Sequence, residues 1–170
     1  MVFFRCIGVI LVFCLGHPDL RIVSAGTQEP DQEIEVEEVQ VHLVANSPVV
    51  LLRIGEKAIP IFVDPTVAGS IQAALSGEKF PRPLSHELMF QILGAYKVKV
   101  DRVFITLREG VYYGTLTLSQ DGKLQLFDSR SSDAIALAVH FHSPILISKS
   151  LLDKVGKSLE VHSTGKGLEL

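Results

Sequence analysis

The sequence has no tryptophan, two methionines and two cysteines, Cys6 and Cys14. Both cysteines fall in the first 25 residues, where Met1 to Arg5 carries one positive charge and Cys6 to Gly16 is an apolar run of eleven residues. That run is shorter than the roughly 20 residues a bilayer-spanning helix needs. Val23-Ser24-Ala25 before Gly26 supplies the small residues a signal peptidase reads, which predicts a signal peptide over 1–25 and an exported chain, periplasmic or secreted. An uncleaved membrane anchor is the alternative, and with the signal cleaved no stable membrane insertion is expected. A chain trimmed at that point has no thiol, which excludes disulfides and thiolate nucleophiles. An excess of basic charge is also missing. Trimming removes Arg5, Arg21 and Asp19, so 16 basic and 19 acidic side chains become 14 and 18, and the formal charge moves from −3 to −4. The basic residues are dispersed and lack interleaved aromatics, so net charge does not support strong nucleic-acid binding.

About 145 residues then remain, enough for one compact domain without a metal or disulfide staple. Residues 26–33 read as an acidic flexible leader, 34–156 as the domain and 157–170 as a flexible, Gly-rich tail. Six carboxylates occupy positions 29 to 38. A divalent ion could use some of them, but Ile34, Val36, Val39, Val41 and Leu43 at alternating positions predict a charged edge strand instead. Val49 to Ile54 and Ala58 to Val63 flank Gly55-Glu56-Lys57 and read as a hairpin. Asp64-Pro65 supplies an N-cap with proline at the first helical position, and Gly77 a stop, so a helix runs between them.

A second helix is predicted from Ser85 as its cap, with Leu84 and Met89 as a hydrophobic staple. Its stripe of Leu88, Met89, Ile92, Leu93 and Tyr96 is expected to face the core, which leaves His86 and Glu87 in an exposed first turn. That pair is either an ordinary solvated helix start or a neutral base with a companion carboxylate. From Val98 the periodicity becomes two, with a phase slip at Asp101-Arg102 that predicts a bulge. Turns at Arg108-Glu109-Gly110 and Ser119 to Lys123 then give a three-stranded meander over 98–129. A short strand follows at Pro144 to Ile147, and Ser148 caps a terminal helix that Gly156 ends. The predicted fold class is α+β: a mixed, largely antiparallel sheet with the hairpin, two helices, the meander, a buried Ala-rich helix, the short strand and the terminal helix.

The Ala-rich helix begins in Ser129 to Val139. Ser131 or Ser132 can cap it, Asp133 suits the positive end of its dipole, and from Ala134 it is apolar on all faces. Arg130 and the free N–H groups of this helix start could bind a phosphate, or Arg130 could make a structural ion pair. His140-Phe141-His142 would share a face only if extended; at a helix C-terminus the histidines favour the dipole instead.

Three stretches, Ala58-Ile-Pro-Ile-Phe-Val, Pro81-Arg-Pro-Leu-Ser-His-Glu-Leu-Met and Ser132-Asp-Ala-Ile-Ala-Leu-Ala, with Ile34-Glu-Val-Glu before them, give the chain a resemblance to the bifunctional nuclease family, over roughly residues 34 to 155. The resemblance implies nuclease activity on both DNA and RNA. Where the family often has one or two glutamates at the first helix start, this chain has Val67, Ala68 and Gly69, and Ser131 replaces a proline usual before the Ser-Asp pair.

Phosphodiester hydrolysis needs charge stabilisation and an activated water or hydroxyl, commonly through carboxylates holding divalent ions. The residues suggest that the helix starts at Ser85 and Ser131 converge on one cleft. There Arg82, Arg130 and Ser132 bind phosphate, Asp128 and Asp133 hold a metal or activate water, and His86 with Glu87 moves a proton. Mg2+ or Mn2+ is the expected cofactor, with no particular metal ligands assigned and no organic cofactor. The alternative function is a non-catalytic, homo-oligomeric binding or scaffold module, with the apolar sheet and the Ala-rich helix serving assembly.

Overall fold

The computed structural model describes residues 31–159. The expected signal peptide, most of the acidic leader and residues 160–170 of the tail lie outside them. The chain is α+β, but its strands divide between two sheets where one mixed sheet was expected.

The first division falls inside the acidic segment. The residues expected to form one edge strand form two, β1 (Glu33–Glu35) and β2 (Glu38–Val44), at the edges of different sheets. The amide of Val36 donates to Ile145 O at 2.8 Å and the next amide, of Glu37, donates to Arg53 O at 2.9 Å. Two successive N–H groups thus bond in opposite directions, each to a different sheet, and the chain turns from one into the other.

From β2 the chain runs through β3 (Ser47–Ile54) and β4 (Lys57–Phe62), the expected hairpin, in which Gly55 takes φ 57°. The helix α1 (Pro65–Ser76) starts as its sequence predicts: Asp64 Oδ1 accepts the amide of Val67 at 3.0 Å, and Gly77 ends the helix at φ 71°. Next come α2 (Ser85–Ala95) and the meander β5 (Lys99–Arg108), β6 (Val111–Gln120) and β7 (Lys123–Arg130), with a register shift between Val100 and Arg102 where the bulge was predicted. The chain continues through α3 (Ser131–Phe141), β8 (Ile145–Ser148) and α4 (Lys149–Val155) to β9 (Lys157–Ser158).

One sheet has the order β1-β8-β5-β6-β7, parallel only between β5 and β8; the other is β2-β3-β4-β9, antiparallel throughout. The start of the expected loose tail is therefore paired: β9 sits against Lys57 and Ala58, and the Leu159 amide donates to Glu56 O at 2.9 Å.

Both sheets share one main core, and Val49, Leu51 and Ala58 form a second, smaller cluster with Val44 and Leu159. Val50, Leu52, Ile59 and Ile61 of one belong to the same cluster as Val103, Ile105, Leu116, Ile145 and Ile147 of the other, together with Ala134 to Ala138 of α3. The alanines let α3 lie close on β6: a Cβ added to Gly114 would stand 2.5 Å from Ala134 Cβ. This contact fixes the height of the start of α3 above the sheet. The apolar residues Ala134 to Ala138 are buried in the core.

Helix α2 has the opposite orientation to the one its sequence suggests. Its buried residue is His86, 7% exposed, whereas Leu88, Met89, Ile92 and Tyr96 face outward at 47%, 44%, 49% and 71%. The helix packs on α3 through its other side, where the Phe90 ring lies edge-on to Phe141 at 4.8 Å. Ser85 does not cap it; Leu84 occupies the cap position and no side chain accepts a terminal N–H. Among the described residues no helix is long and apolar enough to cross a membrane.

Candidate active site

Three helix starts meet at one place. The expected serine caps of α3 are not formed, because the cap position belongs to Arg130 while Ser131 and Ser132 turn inward and are buried. This displacement puts Asp133 in the first turn with its carboxylate toward the helix start, where the dipole favours it. Arg130 reaches along the same turn and holds Asp133 in a two-pronged contact, Nε to Oδ2 at 2.7 Å and Nη2 to Oδ1 at 2.8 Å. Charge-assisted, bidentate pairs of this kind fix geometry as well as contributing energy.

His86 completes the group from α2. Its Nε2 lies 3.1 Å from Asp133 Oδ1, so one carboxylate oxygen serves both the guanidinium and the imidazole. The start of α1 supplies the third component: Asp64 Oδ2 stands 3.7 Å from Arg130 Nη1 while Oδ1 caps its own helix. Asp64 reads in the sequence as a cap alone. Its second oxygen faces Arg130 because α1 packs beside α3, a contact no local pattern encodes.

The electrostatics follow from these contacts. The Arg130 hydrogen bonds, aided by the one to His86, hold the Asp133 carboxyl below the usual carboxylate value against the opposing effect of burial. Asp133 in turn raises the proton affinity of Arg130. Asp64 and Asp133 against Arg130 leave one net negative charge when His86 is neutral, and none when it is protonated. The group is built as an oriented acid–base pair more than as an anion clamp.

A neighbouring polar contact has no counterpart in the sequence reading. Buried Ser70, on the core face of α1, lies with its Oγ 3.0 Å from His140 Nε2 on α3. Burial lowers the proton affinity of His140 below the ordinary histidine value, with a further lowering from His86 and a partial offset from Glu87. A serine among Val67, Ile71 and Ala74 was the available signal, since a buried hydroxyl needs a partner. His140 and His142 do sit at a helix C-terminus, His142 as the left-handed cap at φ 53°. Half-buried Glu87 lines a cleft of about 380 Å³ with His140, His142 and Phe90.

Four expected members, Glu87, Ser132, Asp128 and Arg82, make no side-chain hydrogen bond or ion pair to this group among the described residues. Asp128 is exposed on β7 and carries no side-chain hydrogen bond or ion pair among the described residues. The Ser129 hydroxyl donates to Gly114 O on the side of β7 that faces α3, so strand alternation sends Asp128 from the other face. Arg82 is exposed in the Pro81–Leu84 entry to α2, also without an ion pair among the described residues.

The donor set does not fit a divalent ion. Among the described residues no three His, Cys, Asp or Glu side chains are gathered to hold one. Both oxygens of Asp133 are taken by Arg130 and His86, and one of Asp64 by its helix cap. An oxygen-coordinated Mg2+ or Mn2+ at this point would have to displace the guanidinium.

Comparison with known sequences matches residues 49–160 to the family model described as the bifunctional nuclease domain. Two proteins of Mycobacterium tuberculosis, from strains CDC 1551 / Oshkosh and ATCC 25618 / H37Rv and each named as uncharacterized, are similar to the chain. Each is 30% identical over 128 residues, covering 73% of this chain and 76% of the relative.

Proposed function

The chain belongs to the family of the bifunctional nuclease domain, and from that membership we propose that it hydrolyses phosphodiester bonds of DNA and RNA at the His86–Asp133–Arg130 group. The observation that supports this reading is the shared carboxylate, with His86 Nε2 3.1 Å from an oxygen that Arg130 also holds. An Asp133 that accepts from Nε2–H fixes the tautomer of a neutral His86 and leaves Nδ1 with the lone pair, which is the form of a general base.

In the proposed reaction Nδ1 takes a proton from water as the water oxygen bonds to phosphorus. The P–O bond to the leaving sugar oxygen breaks, and the proton passes from Nδ1 to that oxygen. Arg130 retains three of its five N–H donors beyond the two given to Asp133, and with a guanidinium side chain 67% exposed it can meet a phosphate from solvent. Arg82, four residues before His86 and exposed, adds the positive charge that the aspartates cancel. Ser132 and Glu87 neighbour Asp133 and His86 in the sequence, and Asp128 takes no part in the step. No step passes through a metal. The N-terminal signal pattern supports a substrate outside the cytoplasm.

The test is hydrolysis of single-stranded DNA and RNA by identically purified wild-type, His86→Ala and Asp133→Asn proteins, with EDTA and with Mg2+ or Mn2+ added. Each substitution is expected to lower the rate by about 10²-fold or more. Equal trace rates in all three proteins would overturn the assignment, and complete loss in EDTA would overturn the metal-free step. A second reading, a scaffold without chemistry, is favoured by the uncovered apolar face of α2.

A further inference from the structure

We propose that the cleft between α1 and α2 seats one unpaired nucleobase of the substrate, which makes single strands the substrate class. The assignment rests on the phosphodiesterase reading for the kind of substrate. The cleft lies along the same helices that carry the catalytic group. Glu87 follows His86 and lines it. His140, also in the lining, stands seven residues after Asp133 on α3, two turns on and on the same face. At 1.5 Å per residue that is about 10 Å, the length of about three steps of a stacked strand.

The lining suits a planar heterocycle. From α1 come Ala73, Ala74 and Gly77, none with a side chain longer than a methyl group, so that side admits the flat of a ring. From α2 comes Phe90, 37% exposed. Its ring already lies near-parallel to His140, with centroids 5.9 Å and planes 26° apart, and a base extends that stack. Gln91 adds a donor and an acceptor for base edges. The volume, about 380 Å³, is in the range of a small-ligand site. A base held in a duplex must leave its stack to enter, whereas an unpaired base enters at least cost.

Charge decides which part of the nucleotide goes in. Glu78 and Glu87 in the lining repel a phosphate, but a carboxylate accepts from the exocyclic amino group of a base. The cations stand on the exposed loop that joins α1 to α2, Lys79 at the cleft and Arg82 on the way to His86. Neither has an ion pair among the described residues. Basic residues are dispersed over the chain as a whole, but these two bracket the exposed ring of Phe80. The phosphates beside the seated base therefore meet Lys79 and Arg82 while the base turns inward.

Binding is measured apart from turnover, by fluorescence anisotropy with the full chain carrying His86→Ala and shown to be folded by circular dichroism. The probes are labelled strands of dC, dA or dT about ten nucleotides long, and the dA·dT duplex. The dC and dA strands should bind roughly 10-fold tighter than dT, and dA roughly 10-fold tighter than its duplex. Gln91→Trp, at an exposed position, fills the cleft and should weaken dC binding roughly 10-fold with melting unchanged, and Phe90→Leu should weaken it similarly. Glu87→Gln should erase the preference over dT, because an amide also donates. Lys79→Ala with Arg82→Ala should lower the slope of log affinity against log salt by about 1.4 and keep that preference.

Equal affinity for strand and duplex overturns the proposal. So does Gln91→Trp binding like its parent, or no measurable binding of any strand. Strands bound with the expected pattern but cleaved no faster by wild type than by His86→Ala support the cleft and overturn the reaction. Hydrolysis that Gln91→Trp leaves unchanged supports the reaction and overturns the cleft.

Discussion

His86 and Asp133 are 47 residues apart in sequence, and their side chains meet at 3.1 Å across the junction of α2 and α3. The histidine is the buried residue of its helix and the aspartate is also gripped by Arg130. The pair therefore joins two helices through one carboxylate.

A double-mutant cycle measures that joint. His86→Ala and Asp133→Asn should each destabilise the fold by about 1–3 kcal/mol, because each leaves a partner unsatisfied. The double variant should cost less than the sum, with a coupling of about 0.5–3 kcal/mol. Urea unfolding of the four proteins gives the number, and strict additivity would show the contact to be idle.

Acid should weaken the fold in two separate windows. Burial lowers the proton affinity of His140, so the unfolded chain binds a proton there from about pH 6.5 downward before the folded chain does, and stability falls as pH drops below that value. The contribution of Asp133 is in place above about pH 4 and is lost as pH falls through its lowered folded value. Melting temperatures measured across pH 7.5 to 3 should show both declines. His140→Gln should remove the first and Asp133→Asn the second.

Gly114→Ala should destabilise by about 1–3 kcal/mol, since the new methyl meets Ala134 where α3 approaches β6 most closely. Ala134→Gly in the same chain should recover part of that loss, although it weakens the helix alone. Chemical denaturation decides. If the two losses simply add, the clash is not the cause.

Two caps that look alike in the sequence should behave differently. Asp64→Ala removes a real cap bond and the carboxylate facing Arg130, for a loss of about 0.5–2 kcal/mol. Ser85→Ala should fall within about 0.5 kcal/mol of wild type, because that hydroxyl caps nothing. Thermal unfolding distinguishes them.

The elements most legible in the sequence are those whose causes are local. Asp64-Pro65 and Gly77 mark both ends of α1 and the Gly55 turn marks its hairpin, because caps and turns act over a few residues. The bulge at Asp101 was legible as a slip in a two-residue period. What failed was orientation. Periodicity in α2 correctly finds one apolar stripe and one polar turn, but a helix pattern carries no information about which side the rest of the chain covers. His86 consequently reads as exposed and the stripe as buried, whereas His86 is buried, Leu88, Met89, Ile92 and Tyr96 are exposed, and Leu93 is half-buried. The candidate site was legible as two helix starts worth bringing together. The role of Arg130 in place of a serine cap, the second contact of Asp64, and the Ser70–His140 pair depend on tertiary packing, and Asp128 was misgrouped because strand alternation separates it from its neighbour Ser129.

The turn between Val36 and Glu37 gives the molecule a built-in comparator. One amide is locked to β8's sheet and its immediate neighbour to β3's, so local sequence effects on the two are closely matched while the structures that protect them are not. With one core common to both sheets, the two amides should exchange hydrogen for deuterium with the same opening free energy. A gap between their protection factors would instead mark the order in which the sheets let go.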